Sequence, residues 1–112
     1  MIESILIKYL NDNGIKAYME VPEKASGHFV VLEKTGSNRD NKLDRATVAV
    51  QSYGDSLNSA ATLNDMVKRL LLYIDDPMIV SSNLNSDYNY TNTATKQYRY
   101  QAVFDFYYYE EY

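Results

Sequence analysis

The fold is decided by residues 43–74, LDRATVAVQSYGDSLNSAATLNDMVKRLLLYI. Alanine or valine stands at every second position from 46 to 50, which predicts a strand that lays one face on a core. A short turn follows, in which Asp55 or Ser56 is expected to accept a hydrogen bond from a free amide of the next helix's first turn. The stretch therefore predicts a strand, a tight turn and a helix.

The predicted helix, residues 57–74, carries apolar side chains around more of its circumference than one packed face can bury. Something else must cover the remainder, and the two candidates are the first helix of the chain and a neighbouring subunit. The apolar residues are Leu57, Ala60, Ala61, Leu63, Met66, Val67, Leu70, Leu71, Leu72, Tyr73 and Ile74.

The rest of the chain supplies one more helix and four more strands. Apolar residues at helical spacing over residues 2–10 predict a one-sided surface helix, which Asn13 and Gly14 end. Pro77 stops the helix of residues 57–74, because proline has no amide donor and its predecessor disfavours helical angles. The remaining segments are strands at residues 15–21, 28–35, 78–82 and 98–109, and polar connections at residues 36–42 and 83–97.

Residues 98–109, YRYQAVFDFYYY, form the longest predicted strand. Alternation puts Phe104, Phe106 and Tyr108 on one face, and Tyr107 and Tyr109 on the other. The order of elements is helix, three strands, helix, two strands. This order predicts an α+β fold with a mainly antiparallel sheet and two helices packed on one face.

Length and composition narrow the classes of function. A chain of 112 residues is expected to form one domain, residues 1–112. The net charge of −4 disfavours general nucleic-acid binding, which needs many Lys and Arg to neutralise phosphates. The chain has no cysteine, so disulfides and thiolate sites are excluded. The first residues predict neither a signal peptide nor a membrane span, which places the newly made protein in a cytoplasm.

The sequence contains no convincing catalytic or metal-binding pattern. His28 is the sole histidine and has no serine, cysteine or second histidine near it to form a nucleophile–base pair or a metal site. The alternation that starts at Asp87 lacks the glycine and the closing glutamate of a calcium loop. Isolated glycines form no phosphate-binding loop. We therefore predict no catalytic residue, no cofactor and no metal.

Function is instead expected at surfaces. Residues 34–45 carry a local excess of positive charge, which is either a solvated loop or a contact for an acidic partner or DNA phosphates. The tail FYYYEEY puts aromatic rings on both faces of a terminal strand, although tyrosine is also an ordinary strand former, and both readings stay open. The interface residues that we predict are Arg39, Lys42, Arg45, Met66, Tyr73, Tyr107, Tyr108, Tyr109 and Tyr112.

The order of elements, the segment RATVAVQSYGDSLNSAATLNDMVKRLL and the aromatic closing strand resemble the tail-terminator, or tail-completion, proteins of long-tailed bacteriophages. The resemblance covers nearly the whole chain. It rests on an alternating strand, a short turn and a helix with small residues early. The family has a small α+β domain, and the resemblance implies the same fold here.

The resemblance also implies a structural function without enzymatic chemistry. Such proteins assemble as a ring, usually six-fold, at the head-proximal end of the tail tube. The ring ends tube polymerisation and offers a surface for head joining. The expected partners are other copies of this chain, the tail tube protein and the head–tail connector, without a membrane, while DNA only passes through the channel. The expected location is the virion tail, and the host cytoplasm during assembly.

Two other classes of function remain open at this point. The first is a different neck or head–tail connector protein of the phage, which would bind the portal side. The second is a small ligand-binding domain or enzyme whose site is built from Tyr, Asn and Asp side chains. A deep, closed polar pocket would favour the second class.

Overall fold

The computed structural model describes residues 1–24, 26–40 and 42–110, with the backbone alone of Asp40. Its elements are α1 (Ile2–Asp12), β1 (Ala17–Tyr18), β2 (Phe29–Asp40), β3 (Leu43–Gly54), α2 (Leu57–Leu72), β4 (Ile79–Asn89) and β5 (Tyr98–Tyr108). The strands form one sheet in the order β1-β2-β3-β5-β4. Neighbouring strands are antiparallel, except that β1 is parallel to β2.

Both helices pack on one face of the sheet, and the predicted α+β arrangement is confirmed. The core lies between the helices and the inward positions of β2, β3 and β5, and burying these side chains is the main driving force for folding. The buried core residues are Ile2, Leu6, Leu10, Ile15, Ala17, Val30, Leu32, Ala46, Val48, Val50, Leu63, Val67, Leu71, Ala102, Phe104, Phe106 and Tyr108.

The turn between β3 and α2 is fixed by a reciprocal cap. Ser56 is the N-cap: its hydroxyl accepts from the amide of Ser59 at 3.1 Å, and the Ser59 hydroxyl accepts from the amide of Ser56 at 3.0 Å. These two bonds satisfy amides that the first helical turn leaves free. Of the two predicted cap residues, the structure therefore uses Ser56.

The prediction of a polar loop at residues 36–42 is wrong. β2 continues to Asp40, and its last residues pair with β3, where Arg39 stands opposite Asp44. A bulge between Lys34 and Gly36 shifts the register. Residues 36–39 are exposed at the end of β2. This part of the strand can therefore carry polar side chains, which the sequence pattern assigns to a loop.

Two other predicted boundaries also move. The strand predicted at residues 15–21 is reduced to Ala17–Tyr18. The polar excursion predicted at residues 83–97 is strand as far as Asn89, because β4 is an edge strand whose polar side chains remain in contact with water. Only the turn from Tyr90 to Gln97 remains of the excursion, and a single bridge between Asn92 and Gln97 closes it.

The two ends of the sheet carry different strand ends and different hairpin turns. At the Tyr109 end, β2 turns into β3, β5 finishes and β4 begins, since Tyr108 stands opposite both Asp44 and Ile79. At the Gly54 end, β2 begins, β3 finishes and β4 turns into β5, since Gly54 stands opposite Tyr98. The two hairpin turns therefore lie at opposite ends of the sheet.

β2, which β1 covers only at Val30 and Val31, and the edge strand β4 carry features that discourage edge pairing. A bulge interrupts β2, and two bulges interrupt β4, between Ile79 and Ser81 and between Leu84 and Ser86. Bulges bend an edge strand and break its row of free amides and carbonyls, which hinders the addition of a strand from another chain. We therefore expect contacts between copies to use side-chain surfaces rather than sheet edges.

Candidate interaction surfaces

The Tyr109 end gathers most of the predicted interface residues. One row across the sheet runs from Arg39 to Asp44, Tyr108 and Ile79. The neighbouring row contains Arg45 and Tyr107, which stand opposite each other. Chain connection places the others nearby: Lys42 in the β2–β3 turn, Tyr109 directly after β5, and Tyr73 six residues before β4. Met66 lies apart on α2, and Tyr112 falls outside the described residues.

Tyr108 is not a surface residue, so its prediction as an interface residue is wrong. Its side chain is 2% exposed and belongs to the core, because alternation turns it to the same face as Phe104 and Phe106. Tyr107 is half-buried on the opposite face. Tyr109 is 52% exposed, and its amide donates to the carbonyl of Met78 at 2.8 Å. The aromatic surface at this end therefore depends on Tyr109 rather than on three equivalent rings.

The positive residues of the Tyr109 end lie close to carboxylates of the same chain. Arg39 Nε is 4.0 Å from Asp44 Oδ1, and Arg45 Nη2 is 3.6 Å from Asp105 Oδ1. The Arg45 guanidinium also lies 5.8 Å from the ring centroid of Tyr107. Internal pairing reduces the net positive charge that this surface offers to DNA phosphates.

Asp105 is the centre of a hydrogen-bonded cluster on the sheet face that the helices leave open. Its carboxylate accepts from the Thr47 hydroxyl at 2.6 Å and from the Asn85 amide at 3.1 Å. These two donors, and then the charge of Arg45, lower the pKa of Asp105 below its ordinary value of 3.8, against an opposing effect of burial. The cluster ties β3, β5 and β4 together.

The Asp105 cluster makes stability depend on pH. A folded-state pKa below the unfolded value means that the unfolded chain binds more protons, so this contribution is present above the unfolded pKa near 3.8 and is lost as pH falls through the lower folded value. We expect Asp105→Asn to lower the free energy of unfolding at pH 7 by about 1 kcal/mol, the difference between bonds to a charged and to a neutral acceptor. Urea titrations from pH 7 to pH 3 should show the two proteins converging at acid pH. A constant difference at all pH values would contradict this assignment.

A row of aromatic rings and the Arg99 guanidinium crosses the open sheet face near the Gly54 end. Phe29 stacks on Tyr53 at 4.5 Å between centroids, and the Arg99 guanidinium lies 4.5 Å from the centroid of Tyr90 and 5.8 Å from that of Tyr53. Arg99 Nε also donates to the Tyr90 carbonyl at 2.7 Å. The row fastens the turn at residues 90–97 to the sheet.

A second chain of hydrogen bonds continues from Tyr53 across the same face. The Tyr53 hydroxyl donates to the side-chain Oε1 of Gln51 at 3.3 Å, the Gln51 side-chain amide donates to Oε1 of Gln101 at 2.8 Å, and the Gln101 side-chain amide donates to the Tyr88 hydroxyl. The sequence pattern does not reveal this network, because only the strand register brings its members together. Its polar groups are bonded to one another, which favours a structural role over a ligand site.

A groove runs along the first half of α2 towards the Gly54 end, with a volume of about 770 Å³. Its apolar lining comes from Ile15, Leu63 and Met66, and Met66 is 46% exposed. Lys16 and His28 line it as well, both exposed. The full lining is Gly14, Ile15, Lys16, Ser26, Gly27, His28, Asn58, Ser59, Thr62, Leu63 and Met66. The over-wide apolar surface predicted for α2 is therefore left partly uncovered here.

A smaller hollow of about 350 Å³ lies at the Tyr109 end. Its lining includes the exposed residues Met1 and Tyr109, which are 54% and 52% exposed. Tyr73, 78% exposed, ends α2 towards this side of the molecule. Exposed apolar side chains are thus present in the α2 groove and at the Tyr109 end, and others lie after β1 and along β4, for example Met19 and Val80. Exposed apolar surface becomes a candidate contact site where such side chains lie together.

The described residues can be compared with the requirements of a metal site and of a membrane-spanning helix. No group of three or more His, Asp or Glu side chains lies close enough in residues 1–24, 26–40 and 42–110 to hold a metal ion. A third hollow, of about 410 Å³, is lined by Phe29, Tyr53, Asp55, Lys96 and neighbouring residues and opens to solvent. In the same part of the chain, neither helix has the length and apolarity needed to cross a membrane.

Comparison with known proteins adds no further assignment. No protein-family model matches the chain, and no curated protein matches it in sequence. The functional argument therefore rests on the surfaces described above.

Proposed function

We propose that this protein is a tail terminator of a long-tailed bacteriophage, a structural protein that caps the tail tube as a ring, ends its polymerisation and forms the surface for head joining. One observation carries the proposal: this small chain exposes large apolar and aromatic side chains at several places on its surface, among them Met66 in the α2 groove and Tyr73 and Tyr109 at the Tyr109 end. The order of elements and the strand–turn–helix stretch are the features that resemble that family.

Two different contact surfaces on one molecule suit a ring. A two-fold dimer needs one self-complementary patch, whereas a ring needs two unlike patches that meet head to tail. The α2 groove and the Tyr109 end differ in size and chemistry, since the groove is lined by glycines and Lys16, while the smaller hollow at the Tyr109 end is lined by Tyr109 and Glu110. This difference favours a ring over a symmetric dimer.

The positions of the hairpin turns suit a protein with one partner on each side. The β2–β3 turn lies at the Tyr109 end, and the turn at residues 90–97 lies at the Gly54 end. A terminator must contact the tail tube protein on one side and the head–tail connector on the other. We assign these contacts to the two turns. Since residues 36–40 are part of β2, replacing all of residues 36–42 by a flexible linker would damage the sheet, and point substitutions are the suitable test.

The charge of the chain suits a channel through which DNA passes. With a net charge of −4, a ring of such subunits repels phosphates and gains nothing from counterion release. DNA would therefore slide through without being held.

The proposal is tested by mixing the purified protein with cognate tail tubes and, separately, with DNA-filled heads. A terminator should co-sediment with the tubes and appear only at one of their ends by electron microscopy. Binding to the heads alone would assign the protein to the neck instead. Binding to neither particle, with turnover of a small substrate, would favour the ligand-binding alternative.

A further inference from the structure

We propose that the α2 groove binds the segment that follows β5, Tyr109 and Glu110, of a second copy of this chain. The inference deepens the proposed function and rests on its ring, because it names the two surfaces through which neighbouring copies would meet. The occupant is a second copy of the chain, and the contact joins two unlike surfaces: the groove of one copy and the Tyr109–Glu110 segment of the next.

The groove has the chemistry to accept an aromatic, acidic segment. Ile15, Leu63 and Met66 give it an apolar side, against which a ring can bury its body. Lys16 adds a positive charge, and the described residues that line the groove include no carboxylate. The volume of about 770 Å³ falls within the range of ligand-binding clefts and leaves room for an aromatic side chain.

The segment after β5 has the complementary chemistry. Tyr109 is exposed by 52%, and residues 109–112 read YEEY, with two carboxylates and no positive charge. Glu110, whose side chain is 21% exposed, lies 3.1 Å from the amino group of Met1, so docking in another molecule exchanges this ion pair for one with Lys16. An aromatic ring next to carboxylates therefore matches an apolar groove next to Lys16.

The geometry makes this contact intermolecular. β5 begins opposite Gly54, near the groove, and ends with Tyr108 at the other end of the sheet, opposite Asp44. At about 3.3 Å per residue, the ten steps of β5 separate these ends by roughly 33 Å. Tyr109 and Glu110 of one molecule consequently lie far from the opening of its own groove. Each copy offers one groove and one segment, which is the head-to-tail arrangement that closes into a ring or grows as a chain.

The absence of cysteine allows a direct test on the full-length chain. Met66→Cys and Glu111→Cys, of which the second leaves Tyr109 and Glu110 intact, are prepared separately, mixed, and treated with a short bis-maleimide. Docking should make the mixed pair cross-link at least about tenfold faster than either protein alone, because a bound pair holds the two thiols at a high effective concentration. The matched control replaces Met66→Cys with Leu84→Cys, which is 38% exposed on β4 and does not line the groove.

The charge part of the proposal has its own readout. Lys16→Glu in the Met66→Cys protein should lower the cross-linking rate about two- to fivefold, as expected for an exposed ion pair. Lys16→Arg should restore it, and circular dichroism checks that all variants remain folded. Equal rates for the mixed pair and the Leu84→Cys control would overturn the proposal. A Met66→Cys protein that cross-links fastest with itself would also overturn it, since that result means a symmetric contact.

The test separates this inference from the proposed function. Cross-linking is measured on the protein alone, whereas the tail-tube experiment uses wild-type protein. Tube capping without the cross-link between positions 66 and 111 would keep the terminator and reject this contact. The cross-link without tube capping would keep the contact and reject the terminator.

Discussion

Phe106→Ala is expected to lower the free energy of unfolding by about 3 to 5 kcal/mol, the usual cost of removing a buried phenylalanine ring. Phe106 is fully buried between the sheet and the helices, and its ring lies 5.7 Å from that of Phe104. The loss combines the transfer free energy that burial of the ring contributes, the cost of the cavity left behind and the lost contact with the Phe104 ring. Urea denaturation followed by circular dichroism measures it.

The control for this prediction lies on the same segment. Tyr109→Ala removes an aromatic ring that is 52% exposed, so its effect on stability should stay within about 0.5 kcal/mol. If Phe106→Ala does not fold, Phe106→Leu gives a smaller loss that can be measured. A loss for Tyr109→Ala as large as that for Phe106→Leu would contradict the assignment of these two residues to surface and core.

Gly54→Ala is expected to lower the free energy of unfolding by about 2 to 3 kcal/mol, the range for steric overpacking at a site that cannot relax freely. A Cβ on Gly54 would stand 2.5 Å from the Ser59 hydroxyl and 2.6 Å from the backbone nitrogen of Ala60. Ser59 can rotate only by giving up the reciprocal cap with Ser56. The Ala60 backbone moves only if the start of α2 moves, so the strain spreads into the core.

Gly36→Ala provides the matched control for Gly54→Ala. No heavy atom lies within 4 Å of a Cβ at Gly36, and its backbone is not left-handed. We expect no loss and a gain of up to about 1 kcal/mol, because alanine reduces the conformational freedom of the unfolded chain. Thermal unfolding of the two variants side by side measures the difference. Equal losses at the two positions would show that the contact with α2 is not the cause.

The parts of the fold that could be predicted were those in which apolar residues recur with a clear period along the sequence. β3 and α2 follow directly from the alternation at residues 46–50 and from the apolar spacing of residues 57–74. The polar parts of β2 and β4 could not be recognised as strands from the sequence, because their exposed residues have the composition of loops. These segments are strands because their backbones pair with β3 and β5, and such pairing cannot be read from local composition.

The surfaces could be predicted only in part. The excess of apolar residues on α2 correctly indicated an uncovered position, and Met66 occupies it. Grouping the three consecutive tyrosines as one exposed cluster was wrong for Tyr108, although alternation already placed that residue beside Phe104 and Phe106. The Asp105 cluster and the row around Arg99 depend on strand register and bulges, which the sequence pattern does not specify.

The central claim is that the exposed surfaces of this domain serve to cap a polymer. The most direct test is the length of tail tubes assembled from purified tube protein, measured by electron microscopy with and without this chain. The account predicts that wild-type protein stops elongation and leaves a ring at one tube end. Met66→Glu should fail to do so, because a carboxylate in the groove opposes self-contact. Tubes that grow to the same lengths with and without wild-type protein would contradict the account.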